Sequence, residues 1–178
     1  TYTMHVLQEM YQLKILALTL DNGFISPQAK ENMERVVEKL NIDMITYRPR
    51  LGTLKKIFAA GAEEAFFSQK TLDRASTICT SCIGLVKTIV LKTAINYRIP
   101  FVAFGWSPGQ APVNSSIFKN NPKMIRMMQQ ALRKPLELAA EDDLSQYFLE
   151  DHHYEMGEYF PTNISPLAFL DYNEEKMQ

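Results

Sequence analysis

Cysteine is scarce in this sequence: the chain of 178 residues contains two, Cys79 and Cys82, in one Cys-x-x-Cys pair. Two cysteines cannot form the disulfide framework of a small secreted domain. Without a secretory signal, such a pair is more typical of metal binding or redox chemistry. The first five residues show no basic segment followed by an apolar one, so they do not predict a signal peptide, and we expect a cytoplasmic location.

An excess of charge of one sign is also missing, because 19 Lys and Arg stand against 20 Asp and Glu. Proteins that bind nucleic acid or anionic membranes usually carry a basic excess, so the composition argues mildly against a large RNA partner. The most apolar stretch, residues 83–99, is interrupted by Lys87, Lys92, Asn96 and Arg98. We therefore expect no membrane span and no membrane partner.

Strand and helix patterns alternate along the chain. The predicted strands are residues 14–20, 43–47 and 101–104, and the predicted helices include residues 26–41, 82–97 and a segment around 124–136. Ser26 and Pro27 are typical of a helix start, and Asn41 of a helix end. Thr80 or Ser81 is the expected cap of the helix at 82–97. The alternation predicts an α/β fold with a parallel sheet flanked by helices.

The first predicted helix has no recognisable beginning. Met4, Leu7 and Tyr11 recur at helical spacing, but no cap or turn stands ahead of them. The first N–H groups of a helix need a cap, a loop or a ligand as a partner. We therefore expect upstream residues to belong in front of Thr1.

Two predicted strand ends carry residues suited to ligand binding. In an open parallel sheet, ligands bind beyond the carboxyl ends of the strands. Glycine there allows close approach, and exposed backbone groups can bind an adenine edge. The same residues also make ordinary tight turns, and spacing alone does not separate the two interpretations. The candidates are Asp21, Asn22, Gly23 and Phe24 after the first strand, and Gly105, Trp106, Ser107 and Gln110 after the third.

Together these segments resemble the PP-loop ATP pyrophosphatase superfamily (adenine nucleotide α-hydrolase-like proteins). The N-terminal part is similar to N-acetyl sugar amidotransferases through Asp21-Asn22-Gly23, Ala29, Asn32, Val36-Val37 and Lys39-Leu40. A later part is similar to tRNA thiolases through Cys79-x-x-Cys82, Lys87, Ala94, Ile99-Pro100 and Gly105, and Pro166-Leu167 fits the end of such a domain. The resemblance covers most of residues 1–110 and the C-terminal tail.

The resemblance implies a Rossmann-like (HUP) nucleotide-binding domain at residues 1–118 that lacks its first strand and phosphate-binding loop. Residues 119–178 would form a helical extension and tail packing on the same domain. A Ser-Gly-Gly-Lys-Asp-Ser loop in front of Thr1 would complete the opening of the family domain, and this sequence contains none. We therefore expect the chain by itself to bind ATP poorly and to turn over little.

The implied activity is an ATP-dependent transferase that forms AMP and pyrophosphate with Mg2+ assistance. It would adenylate an acceptor oxygen of a nucleotide sugar or a tRNA, which nitrogen or sulfur then replaces. The resemblance implies that ATP binds at Asp21 to Phe24 and at Gly105 to Ser107. It also implies that Cys79, Cys82 and Lys87 act in catalysis.

Several alternatives stay open. Cys79 and Cys82 are also candidates for a zinc ion or an iron–sulfur cluster, although related thiolases are expected to use three cysteines. Lys87 either faces a phosphate or is an ordinary solvated lysine. Gln110 and Ser107 either orient ATP or the acceptor or cap the next segment. Two further function classes are a non-catalytic ATP- or AMP-binding module of the universal-stress type and a metal or redox protein built on the cysteine pair.

Residues 119–178 offer weaker candidates. The three methionines at positions 124, 127 and 128 have helical spacing, which predicts a core or a subunit contact, so a homodimer is one expectation. His152 and His153 lack a third spaced ligand, and we expect no zinc there. The acidic residues of this region, Asp142, Asp143, Glu150 and Asp151, are expected on a solvated face.

Overall fold

The computed structural model describes residues 2–73, 75–106, 110 and 113–170, and its fold is α/β. The chain forms two compact units. Unit 1 contains residues 1–47, 101–119 and 162–178, and unit 2 contains residues 48–100 and 120–161. Both units contain residues from before and after residue 118, the predicted boundary between two domains. That boundary remains a prediction.

Unit 1 is built from two small sheets and two helices. Its elements are α1 (Tyr2–Glu9), β1 (Leu16–Leu20), α2 (Pro27–Leu40), β2 (Asp43–Tyr47), β3 (Phe101–Ala103), β4 (Ile117–Lys119) and β5 (Thr162–Ile164), with 3-10 turns at Val113–Ser115 and Pro166–Phe169. β1 and β2 are parallel, with Leu16 opposite Asp43. The other sheet has the order β3-β5-β4, in which β3 is parallel and β4 antiparallel to β5.

The prediction of one parallel sheet from three strands was wrong. Among the described residues, β1 pairs with β2 alone, while β3 pairs with β5. β4 and β5 were missed because three-residue strands are too short to show a period of two. One of the resulting sheets is therefore parallel and the other mixed.

α2 confirms its predicted caps. The Ser26 hydroxyl accepts a hydrogen bond from the Ala29 N–H, and Pro27 occupies the first turn, where no intrahelical N–H is needed. Asn41 ends the helix in the left-handed region, at φ 51°, which asparagine tolerates better than most residues. Local sequence thus defines both ends of this helix.

Unit 2 is helical. Its helices are α3 (Leu51–Glu63), α4 (Gln69–Leu72), α5 (Thr77–Asn96), α6 (Pro122–Ala140) and α7 (Asp151–Glu155), with 3-10 turns at Ser145–Tyr147 and Gly157–Tyr159. α5 begins five residues before the predicted start. The Ser76 hydroxyl caps it by accepting the Cys79 N–H, so the predicted caps Thr80 and Ser81 were wrong. Ser81 instead donates to the Thr77 carbonyl inside the helix.

The core of unit 2 forms where α3, α5 and α6 pack together. Its most buried apolar residues are Leu54, Ile57, Leu85, Ile89, Ile95, Leu136, Leu144, Phe148 and Phe160. Among the described helices, α5 is long and apolar enough to cross a membrane by length and composition, and 39% of that window is buried. A core helix passes the same test, so the expected absence of a membrane partner remains a prediction.

Candidate functional site

The segment from Asp21 to Phe24 forms a braced loop at the carboxyl end of β1. Asp21 continues the pairing of β1 and β2, since its N–H donates to the Tyr47 carbonyl. The Asp21 Oδ1 accepts the Gly23 N–H at 3.0 Å, and the Asn22 Oδ1 accepts the Phe24 N–H at 3.0 Å. Gly23 has φ 86°, a conformation that favours glycine. The local sequence thus dictates a tight, preformed loop.

This bracing changes which groups of the loop can meet a ligand. The N–H groups of Gly23 and Phe24 already have acceptors inside the loop, so they are not the groups that would bind an adenine edge. The Phe24 side chain, in contrast, is 69% exposed. An exposed ring held on a braced loop is suited to stacking against a base.

The Asp21 carboxylate is a buried bracing group. Only 3% of the residue is exposed, and its Oδ2 accepts a hydrogen bond from the Lys30 Nζ at 2.9 Å. A buried carboxylate needs such a partner. Lys30 was not predicted as part of the site; its place in the first turn of α2, next to the loop, was the only signal in the sequence. The Asp21 carboxylate therefore holds the loop in place.

Gly105 follows β3 and lies against the first turn of α1. A methyl group at Gly105 would approach the Thr3 hydroxyl to 2.9 Å, so the glycine allows close approach of this backbone to the helix. The N-terminus of α1 carries partial positive charge and N–H groups without intrahelical partners. Thr3 was missed because its sequence context shows only an uncapped helix start.

The C-terminal end of α1 lies near the amino end of β2. The Gln8 side-chain amide donates to the Leu40 carbonyl at 2.7 Å, and Leu40 precedes the start of β2. A helix of eight residues is roughly 12 Å long, so the first turn of α1, which contacts Gly105, lies about that far along the helix axis from this end.

The remaining predicted residues of this region have different environments. Trp106 is partly buried and its ring stacks on Phe104 at 6.3 Å between centroids. Gln110 is exposed. Ser107 lies outside the described residues.

Cys79, Cys82 and Lys87 lie on α5 in unit 2, whereas the residues discussed above belong to unit 1. Cys79 is exposed, Cys82 is partly buried, and neither is in a disulfide. Lys87 is exposed and lies roughly 12 Å along the helix axis from Cys79. Within the described ranges, no three or more His, Cys, Asp or Glu side chains form a group that could hold a metal ion. Their catalytic and metal-binding roles remain predictions.

A buried histidine, His153, belongs to a polar cluster of unit 2. The His153 Nδ1 accepts the Glu150 N–H at 3.1 Å, so its Nε2 carries the proton and donates to the Asn96 Oδ1 at 3.1 Å. Burial, then the charges of His152 and Lys92, lower the pKa of His153. This geometry describes a satisfied structural imidazole.

No protein-family model matches the chain, and neither curated proteins nor solved structures give a match.

Proposed function

We propose that unit 1 binds an adenine nucleotide at the carboxyl ends of β1 and β3. The observation that carries the proposal is the contact between Gly105 and the first turn of α1. This contact brings the glycine that follows β3 to the N-terminus of a helix. Ligands of open α/β sheets bind at this edge, and phosphates bind at helix N-termini. The exposed Phe24 ring supplies a stacking surface for the base.

The reaction we propose is the one implied by the resemblance to PP-loop enzymes. ATP would adenylate an acceptor oxygen, releasing pyrophosphate, and nitrogen or sulfur would then displace AMP. The α1 N-terminus supports this proposal because it favours the negative charge of a phosphate. Mg2+ would be held mainly by the nucleotide phosphates, since Asp21 already pairs with Lys30.

The acceptor is proposed as a nucleotide sugar or a tRNA. The Asp21-Asn22-Gly23 segment favours the sugar-modifying relatives, and the Cys79–Cys82 pair favours the thiolases. The net charge of −1 favours the smaller acceptor, because neutralising RNA phosphates requires clustered Lys and Arg.

Trp106 makes nucleotide binding measurable, because it is the only tryptophan of the chain and follows Gly105. We expect AMP and ATP to change its fluorescence in a saturable way. Phe24→Ala should weaken binding by about five- to 150-fold, since stacking of a base on an aromatic ring contributes about 1–3 kcal/mol. Tyr97→Ala is the matched control: it removes a 66% exposed aromatic ring from unit 2 and should leave the affinity unchanged.

Asp21 variants test whether the loop itself matters. Asp21→Asn keeps an oxygen for the Gly23 N–H, whereas Asp21→Ala removes it, so the alanine variant should bind nucleotide more weakly than the asparagine variant. Unchanged affinity in both Phe24→Ala and Asp21→Ala would show that the nucleotide binds elsewhere or that the loop has no part in binding.

A second candidate is nucleotide binding without cleavage, as in a universal-stress-type module. It is favoured by one observation: the Asp21 carboxylate of the loop is buried and bonded to Lys30, so it is not placed to hold Mg2+ for cleavage. Chromatographic analysis of ATP incubated with the chain, Mg2+ and each acceptor class separates the two. Acceptor-dependent AMP formation supports the transferase, and bound but intact ATP supports the module.

A further inference from the structure

The loop after β1 contains a chemically reactive pair of residues. Asn22-Gly23 is the only Asn-Gly dipeptide in the sequence. The backbone nitrogen that follows an asparagine can attack the side-chain amide of that asparagine and close a five-membered succinimide ring. Glycine favours this reaction, because it has no Cβ to hinder the approach of the nitrogen. Asn22 is partly buried and Gly23 is exposed, so water has access to the pair.

The reaction consumes water and releases ammonia. A base takes the N–H proton of Gly23, and the nitrogen electron pair then forms a bond to the Asn22 Cγ. The bond from Cγ to the side-chain nitrogen breaks, and that nitrogen takes up a proton and leaves as ammonia. Water then opens the ring at one of its two carbonyl carbons. The product at position 22 is aspartate in one case and isoaspartate in the other.

The Asp21 carboxylate opposes the first step of this reaction. The Gly23 N–H, which has to lose its proton, donates to the Asp21 Oδ1 at 3.0 Å. An N–H that faces a carboxylate is harder to deprotonate, because two negative charges would then lie side by side. A carboxylate is also a weak base at neutral pH, so it does not take the proton itself. Asp21 is fixed in this place, since it is buried and its Oδ2 is bonded to the Lys30 Nζ at 2.9 Å.

The loop also restricts the second step, the closure of the ring. Closure requires the side chain and the backbone of Asn22 to rotate toward each other. The side chain is held by the hydrogen bond from the Phe24 N–H to the Asn22 Oδ1. The backbone before it is held by the bond from the Asp21 N–H to the Tyr47 carbonyl. An unfolded chain has both rotations available, so the folded loop is the less reactive state.

We propose that Asn22 is a site of spontaneous deamidation that the folded loop keeps unreactive, with the Asp21 carboxylate as the main restraint. Conversion of Asn22 then requires a local opening of the loop. Isoaspartate lengthens the main chain between residues 22 and 23, so the bond to the Phe24 N–H cannot form again in the same geometry. This proposal concerns the chemistry of the loop and does not depend on nucleotide binding.

Peptide mapping by mass spectrometry tests the effect of the fold. Trypsin releases residues 15–30 as one peptide, in which aspartate and isoaspartate at position 22 are separated by chromatography. At pH 8, Asn22 should convert at least about tenfold more slowly in the folded chain than in the chain unfolded by guanidinium chloride. Equal rates in the two states, or no conversion of Asn22 in the unfolded chain, would overturn the proposal.

Variants of Asp21 test the restraint itself. Asp21→Ala should speed the conversion of Asn22 in the folded chain toward the unfolded rate, and Asp21→Asn, which keeps an oxygen for the Gly23 N–H, should lie between. Asn114, an exposed residue followed by Ser115, is the internal control, because trypsin releases it within residues 99–119 and neither variant should change its rate. An unchanged rate at Asn22 in Asp21→Ala would contradict the restraint. A slower rate would show that the carboxylate acts as the base.

Hydrogen exchange tests the same proton without a variant, and therefore without any effect of a substitution on folding. The Gly23 N–H of the unmodified chain, followed by NMR, should exchange at least about tenfold more slowly than in an open chain. Exchange at the open-chain rate would show that the carboxylate does not restrain this N–H, and would overturn the proposal.

Discussion

At the scale of single residues, His153 shows how a buried polar group limits the conditions under which unit 2 is stable. The residue is 1% exposed, and both ring nitrogens are hydrogen-bonded, one as acceptor and one as donor. A proton on Nδ1 would face the Glu150 N–H, and the ring of His152 lies 3.8 Å away between centroids. Lys92 adds a further positive charge, and the Glu150 carboxylate only partly offsets these effects.

We predict that unit 2 loses stability as the pH falls below the ordinary histidine value of about 6.5. The pKa of His153 is lowered in the folded state, so the unfolded chain binds the proton first and acidification favours unfolding. Above that pH the His153 side chain is neutral in both the folded and the unfolded state, so protonation no longer reduces the stability. The expected loss is about 1.4 kcal/mol per unit of difference in pKa, and it levels off below the folded-state pKa.

Urea unfolding between pH 8 and pH 5 checks this prediction. His153→Gln should remove most of the pH dependence between about pH 6.5 and pH 5. His152→Gln, which replaces the exposed neighbour, should keep most of the dependence, because burial, the largest cause of the lowered pKa of His153, is unchanged. An equal slope in the His153→Gln variant and in the unmodified chain would mean that another group is responsible.

The Asp21 loop shows what sequence reasoning can and cannot establish about a residue. The turn and the need for glycine were predictable, because Asp-Asn-Gly after a strand has a local physical meaning. The direction of the carboxylate was not, since its partner Lys30 comes from the next element and is chosen by packing. Asp21 was predicted to contact a ligand. In the structure its carboxylate instead holds the loop that carries Phe24.

At the scale of elements, α5 and α6 approach closely at Gly84. A methyl group there would lie 2.6 Å from the Leu132 Cδ2, which is too short for any real contact. At Gly52 in α3, in contrast, a methyl group would have no atom of the described chain within 4 Å. Packing therefore requires glycine at position 84 and does not require it at position 52.

We predict that Gly84→Ala destabilises the chain by about 1–3 kcal/mol, because Leu132 has to move in a packed interior. Combining it with Leu132→Ala should cost less than the sum of the two single changes, since the smaller side chain makes room. Gly52→Ala should be neutral or stabilise by up to about 1 kcal/mol, through helix propensity. Urea midpoints of the four variants check this, and additive Gly84 and Leu132 effects would contradict the contact.

Helices were easier to predict than strands in this chain. α2 and α6 have caps and long apolar periods, so their ends and faces follow from local sequence. β4 and β5 are three residues each and are defined by pairing with distant segments. The predicted start of α5 was five residues too late, because Ser76, Thr80 and Ser81 are all acceptable caps and tertiary packing selects among them.

At the scale of the whole molecule, the order of segments in unit 1 has a consequence for synthesis on the ribosome. β5 is the middle strand of its sheet, yet it is the last of the described strands to be made, and it follows the whole of unit 2. β3 and β4 therefore leave the ribosome before β5, the strand with which both pair, has been synthesised. Nascent chains halted before Thr162 should accordingly leave the strand-pairing groups of β3 and β4 without β5, and should expose Val102, which is 8% exposed in the folded chain, to chaperones.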